Sequence, residues 1–246
     1  MSPITRVDRI EVGSADPEAR SRDWSRFLGL ESTEYPAPAV RFQLFNAALE
    51  LVTVPTGASG SPDTPAPMAL CFAGERDLPR VEDGRGVALS VEARAADLAL
   101  SQGSPAAREE ARVVALDHVV VRSQDLDASV RLYGEQLGLR LALDREFPER
   151  RARLVFFRVG GVTVELSGSL EPEAREGSDL LWGLAWRVVS IEAARRRLEE
   201  AGFRVSPVRP GHKAGTRVFS LENPPSRVPT LVLEDPSRGD ASRLSG

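Results

Sequence analysis

Two copies of one segment restrict the fold of this chain more than any other feature. Residues 8–30 read DRIEVGSADPEARSRDWSRFLGL and residues 117–139 read DHVVVRSQDLDASVRLYGEQLGL, aligned without a gap at a constant offset of 109. Identities fall at Asp8/Asp117, Val12/Val121, Ser14/Ser123, Asp16/Asp125, Ala19/Ala128, Arg22/Arg131 and Leu28-Gly29-Leu30/Leu137-Gly138-Leu139. Self-similarity of this kind marks a repeated supersecondary unit, which must be recognised before any fold is assigned. In the second copy Asp117–Arg122 is a β-branched run, so it predicts a strand. Ser123–Asp125 supplies a turn and a helix N-cap. Leu126, Val130, Tyr133 and Leu137 are spaced as the apolar stripe of a helix that stops at Gly138.

The likeness continues downstream. Val40–Val52 and Leu154–Ser167 each predict two strands joined by a tight turn, at Asn46 and at Gly160-Gly161. Each pair of strands ends in an apolar–Glu–Leu triplet, which places Glu50 and Glu165 in equivalent positions. A strand, a helix and about three further strands therefore make one unit. A second, degenerate unit opens at Met68–Ala73, with little helix expected over Asp77–Glu82 and another strand over Gly86–Glu92. A fourth unit begins with the strand Leu181–Val189 and the helix Ser190–Ala201, stopped by Gly202. Strands over Phe203–Val208, Thr216–Glu222 and Val228–Glu234 follow. Thr56–Pro67, Ser101–Arg112 and Ser167–Ser178 read as polar linkers, and 235–246 as a frayed tail.

Composition narrows the chemistry. The 246 residues, 41% hydrophobic and 28% charged, suit a globular protein with ample core. A net charge of −4, with acidic residues interleaved among the arginines, argues against a nucleic-acid partner. One cysteine, Cys71, excludes an internal disulfide and any Cys-rich zinc site. No signal-like segment and no long apolar run appear, so no membrane partner is expected and the expected location is cytoplasmic. Only two histidines exist, His118 and His212, which nearly excludes a site needing two or three imidazoles.

Four units of the form βαβββ, in two pairs, resemble the vicinal oxygen chelate superfamily of glyoxalases, bleomycin-resistance proteins and extradiol dioxygenases. The resemblance covers 115–235 clearly, 3–55 fairly and 67–112 weakly. It implies an α+β fold of two cup-shaped domains. These are a diverged N-terminal one over 1–112 and a C-terminal one over 113–238 that holds the site, with a flexible tail over 239–246. It also implies a small-molecule ligand inside the cup and a monomer or homodimer.

Alternation of side chains along strands assigns the faces. Val119 and Val121 belong to the helix side, leaving His118, Val120 and Arg122 on the other. Val162, Val164 and Leu166 likewise leave Thr163, Glu165 and Ser167 opposite the helix. Leu184, Trp186 and Val188 leave Gly183, Ala185 and Arg187. In metal-dependent relatives the first strand of a unit supplies a His or Gln and its last strand a Glu, and His118 and Glu165 match those positions. The resemblance thus implies a divalent metal (Zn, Ni, Mn or Fe) on His118 and Glu165. Glu234 is a third candidate, although Gly183 replaces an expected His and the simplest register puts Val232 where the second Glu belongs. In the first unit Arg9 replaces the His opposite Glu50, a pairing that needs no metal.

The residues expected to act are His118 and Glu165, as a proton-transfer dyad. Expected to bind substrate are Arg187, Arg122, Trp182 and the cationic turn holding His212, Lys213 and Arg217. The inert reading of the dyad is a strand histidine bonded to a carboxylate, and that of Arg187 is a salt bridge to Glu165 or Glu234. No GxSxG elbow and no GxxxxGK[ST] loop occur. The function expected is a glyoxalase-like lyase or isomerase acting on a small anionic organic molecule. The alternative is a protein that sequesters a small molecule without changing it. An extradiol-type dioxygenase is disfavoured by Gly183.

Overall fold

The computed structural model describes residues 4–34, 39–54, 65–75, 77–81, 86–93, 110–171 and 178–238. The tail over 239–246 lies outside the described residues, as do most of the expected linkers over 56–67 and 101–112, positions 172–177 of the third linker and Glu82.

Elements run in the order β1 (Ile4–Ser14), α1 (Pro17–Leu28), β2 (Thr33–Glu34), β3 (Val40–Gln43), β4 (Ala48–Thr53), β5 (Met68–Gly74), β6 (Leu78–Val81) and β7 (Ala88–Ala93). They continue with β8 (Val113–Arg122), α2 (Leu126–Val130, prolonged as a π-helix over Arg131–Gln136), β9 (Arg140–Phe147), β10 (Ala152–Val159) and β11 (Val162–Ser169). Last come β12 (Leu180–Val188), α3 (Ile191–Glu200), β13 (Arg209–Pro210), β14 (Arg217–Ser220) and β15 (Thr230–Glu234). One sheet has the strand order β2-β3-β4-β1-β5-β7-β6 and the other β13-β14-β15-β12-β8-β11-β10-β9. The fold is α+β, strand-rich with few helices. Three of the four units carry their helix. The second shows β5, β6 and β7 and no helix among the described residues.

Matching residues do matching work at two of the repeated positions. Asp16 and Asp125 each accept a hydrogen bond from the backbone N–H three residues on, at 3.0 and 3.2 Å, and so cap α1 and α2. Gly29 and Gly138 end those helices at φ +70° and +67°, a conformation that costs glycine nothing.

The sequence spacing departs from the structure in three places. The helix after Asp125 is α-helical for one turn only. The Leu137 N–H reaches back five residues to the Leu132 carbonyl, at 2.9 Å, and this wider turn buries Leu132 as well as Tyr133. Ser129 takes an inward position ahead of it, fully buried and bonded to Asp179 at 2.5 Å and Ser123 at 2.7 Å. Phe203–Val208 is not a strand. It makes a single bridge, Val205 to Leu221, because Pro207 has no N–H to donate, and the paired segment is Arg209–Pro210. The residues just after Asp235 are ordered as a 3-10 turn, Pro236–Arg238, and Arg238 reaches Asp117 at 3.4 Å.

Packing divides the chain into two compact units. The first comprises Met1–Glu11, Met68–Leu98 and His118–Gly183. Its core lies between α2 and the sheet: Val119, Val121, Val162, Val164, Leu166, Val155 and Phe157 are all within 1% of full burial. Tyr133 stacks on Phe157 with ring centroids 6.3 Å apart. The second unit comprises Val12–Pro67, Ala99–Asp117 and Leu184–Gly246. It is organised round an aromatic cluster in which Trp24, Phe27, Trp186 and Phe203 meet edge to face at 5.9–6.2 Å. There α1 and α3 cap one another: Arg197 of α3 donates to the carbonyls of Arg26 and Phe27, and Arg26 of α1 donates to the carbonyl of Ala201.

Candidate functional site

Strand pairing in the first unit sets out the candidate site. β11 runs parallel to β8, with Thr163 opposite His118, Glu165 opposite Val120 and Ser167 opposite Arg122. β10 pairs antiparallel with β11, bringing Arg158 opposite Thr163, Phe156 opposite Glu165 and Leu154 opposite Ser167. Opposed residues share a face, so three rows of side chains turn away from α2. The first row is His118, Thr163 and Arg158, the second Val120, Glu165 and Phe156, and the third Arg122, Ser167 and Leu154.

His118 and Glu165 come together on that face. Nε2 of His118 is 3.9 Å from Oε2 of Glu165, and their side chains remain 20% and 19% exposed, so both are reachable by a small molecule. Arg158 donates to the Thr163 hydroxyl at 2.8 Å beside them. At the far end of the face the Arg122 guanidinium lies 4.7 Å above the Trp182 ring centre. The face therefore offers an imidazole and a carboxylate at its centre, a guanidinium on either side, and apolar walls in Val120, Phe156 and Leu154. Arg158 and Phe156 are not among the residues expected from the sequence; the signal for them is the alternation that continues across the hairpin turn from Glu165.

The remaining candidates lie in the second unit, and most already hold partners. Arg187 is buried and pairs with Asp117 at 3.9 Å, not with Glu165 or Glu234. Burial, then the nearby Arg238, lower its pKa, against the pull of Asp117 and Asp235. Lys213 bonds Asp235 at 2.6 Å and Ser237 at 2.6 Å. Burial opposes the charge on Asp235, yet Lys213 and Ser237 outweigh it and its pKa is lowered. Arg217 pairs with Glu192 and, at 3.9 Å, with Glu234. Glu234 also accepts the N–H of Ile191 at 2.8 Å, in the first turn of α3. His212 is exposed on the turn.

The donors do not fit a metal centre. A durable divalent site needs at least three protein ligands, and His118 and Glu165 are two. Glu165 stands opposite the residue two beyond His118. The residue two beyond Gly183 is Ala185, and its partner is Leu231, neither Val232 nor Glu234. Leu231 packs against Ala185, Val218 and Leu233. Among the described residues no three His, Cys, Asp or Glu side chains gather where they could hold an ion.

The amino-terminal strand, at the position of His118 in the repeat, presents Arg9. It is gripped by Glu92, at 2.5 and 3.0 Å, by Glu11, at 2.9 Å, and by Asp8, at 3.1 Å. Glu50 pairs with Arg41 at 2.5 Å. Among the described residues no helix is long and apolar enough to cross a membrane.

Residues 117–219 match the Glyoxalase/Bleomycin resistance protein/Dioxygenase superfamily. A mutant of 4-hydroxymandelate synthase from Streptomyces coelicolor has the same fold over 94% of this chain and 93% of its own, with a TM-score of 0.67 at 13% identity. Methylmalonyl-CoA epimerase from Mycobacterium tuberculosis is similar over 51% of this chain and 91% of its own, with a TM-score of 0.42 at 24% identity. No curated protein matches the sequence.

Proposed function

We propose that this chain of the vicinal oxygen chelate fold is a glyoxalase-like isomerase or lyase that moves a proton on a small anionic organic molecule. The observation that carries the reading is the approach of His118 to Glu165, 3.9 Å apart on the face of the sheet turned away from α2. An imidazole and a carboxylate at this separation, both reachable from solvent, can take a proton from carbon and return it. The half-buried side chains of Val120, Phe156 and Leu154 give the face apolar surface beside the pair. Arg122 and Arg158 supply positive charge where an enolate or carboxylate oxygen would rest. The chemistry is built from acid–base groups because the donor set falls short of a metal cage.

The test uses small carboxylates with an acidic C–H in deuterated buffer, with washout of the α-proton followed by NMR. The native protein exchanges the proton of a substrate, and His118→Ala and Glu165→Gln lower the rate by about 100-fold or more, the usual share of a positioned acid or base. Undiminished exchange in His118→Ala refutes the assignment. A ligand that binds at this face and is recovered without exchange identifies a sequestering protein instead.

A further inference from the structure

A separate cavity of about 190 Å³ opens in the second unit, between α1 and the turn that precedes β15. Arg20, Arg26 and Arg227 line it, with Asp23 as its one carboxylate and Phe203 and Ser226 among its walls. The lining side chains, three guanidinium groups and one carboxylate, carry a formal charge of +2. Arg20 and Arg26 each stand 3.8 Å from Asp23, and their side chains are 53% and 54% exposed, so the ion pairs are loose and open to exchange. Arg26 also lies over the Phe203 ring at 5.6 Å and donates to the Ala201 carbonyl, which holds it at the cavity.

The backbone at the cavity wall carries the argument further. Ser226 and Arg227 are two successive non-glycine residues at φ +52° and +56°. L residues are strained in this left-handed region, and glycine would remove the strain. Bonds to its neighbours hold Ser226 in this conformation. Its hydroxyl accepts the Trp24 indole N–H at 3.0 Å, and its carbonyl accepts the Ala66 N–H at 3.1 Å. The Arg227 N–H is held by the Pro224 carbonyl at 3.1 Å. The turn is locked from three sides in the conformation that sets Arg227 at the cavity with Arg20 and Arg26.

We propose that this cavity binds a phosphate dianion, free or as the phosphate end of an ester. A dianion complements the formal charge of the lining, and planar guanidinium groups offer paired N–H donors to phosphate oxygens. Chloride has no paired oxygens, and acetate, which has them, carries a single charge.

The full chain is titrated with inorganic phosphate and, separately, with phenyl phosphate at constant ionic strength, and its melting temperature is followed. A saturable rise absent with chloride and acetate is expected. Tighter response to inorganic phosphate identifies the free ion, and tighter response to phenyl phosphate the ester. Arg227→Gly suits the backbone conformation and removes the guanidinium, so it should abolish the saturable rise, a cooperative melt without phosphate showing that the variant is folded. Arg20→Ala, on the exposed surface of α1, should weaken the response at least tenfold. No saturable rise in the native chain, or one that persists undiminished in Arg227→Gly, overturns the proposal.

Discussion

Replacing Arg197 by alanine should destabilise the protein by about 2–4 kcal/mol, the balance of three lost bonds and one relieved burial. Its guanidinium donates to three carbonyl oxygens: Ala111 at 2.9 Å, Arg26 at 2.5 Å and Phe27 at 2.6 Å. Two of these belong to the last turn of α1, where a helix has no donors of its own to offer. Hydrogen bonds from a charged donor contribute about 1.5–3 kcal/mol each, so the gross loss is roughly 5–9 kcal/mol. Against it stand the side-chain entropy regained, about 2 kcal/mol, and the desolvation relieved. Burial is what lowers the pKa of this guanidinium, so its charge is held at a cost. Water reaches part of the vacated site, which removes more of the gross figure. Urea unfolding of native and Arg197→Ala proteins reads the difference as a lower midpoint at unchanged slope. Arg197→Lys, with one point charge for three acceptors, should fall between them. A change below about 0.5 kcal/mol, the level of an ordinary surface substitution, would show that the three bonds do not hold α1 to its surroundings.

Arg122→Met should raise KM for an anionic substrate roughly 10-fold or more, with kcat nearly kept, since it removes uniform binding and not the dyad. Steady-state kinetics decides this, and an unchanged KM would remove Arg122 from the site. Cys71 should resist thiol reagents at pH 8 in the folded protein and react after denaturation. Burial first, and the charge of Glu11 next, push its pKa up to about 12. The sign follows: a thiol whose folded pKa lies above its unfolded value, near 8.5, stabilises the fold fully below that value. The contribution is lost as pH rises through the folded pKa. Native stability should therefore decline above about pH 8.5 more steeply than that of Cys71→Ala, as denaturant midpoints across that range would show.

The strands that build the candidate site were legible because they obey a two-residue period against a helix. Val119, Val121, Val164 and Leu166 are apolar at every second position, and those positions are the fully buried ones. The position of Glu165 followed from the same alternation. What failed to show in the sequence is what alternation does not encode. The wide turn after Val130 depends on the buried Ser129 finding Asp179, fifty positions away, and nothing local to 126–137 announces that partner. The register of β15 depends on which carbonyl meets which N–H, and Val232 and Leu231 are both apolar, so the pattern reads equally well in either setting. That single-residue difference turns every side chain of a strand to the opposite face. It therefore decides which face of β15 carries Glu234.

The same register argument separates the His118 pair from its counterparts. At the position of His118 the first unit of the repeat has Arg9, whose charge is spent on Glu92, Glu11 and Asp8. The position in the fourth unit is Gly183, followed along the strand by the apolar patch of Ala185, Val218, Leu231 and Leu233. Arginine that already holds carboxylates cannot shuttle a proton near neutral pH, and neither can glycine. Of these three positions, one carries an imidazole, and a carboxylate stands beside it. The proton transfer proposed at this repeated position therefore falls to one copy, and His118→Ala is the substitution that tests it.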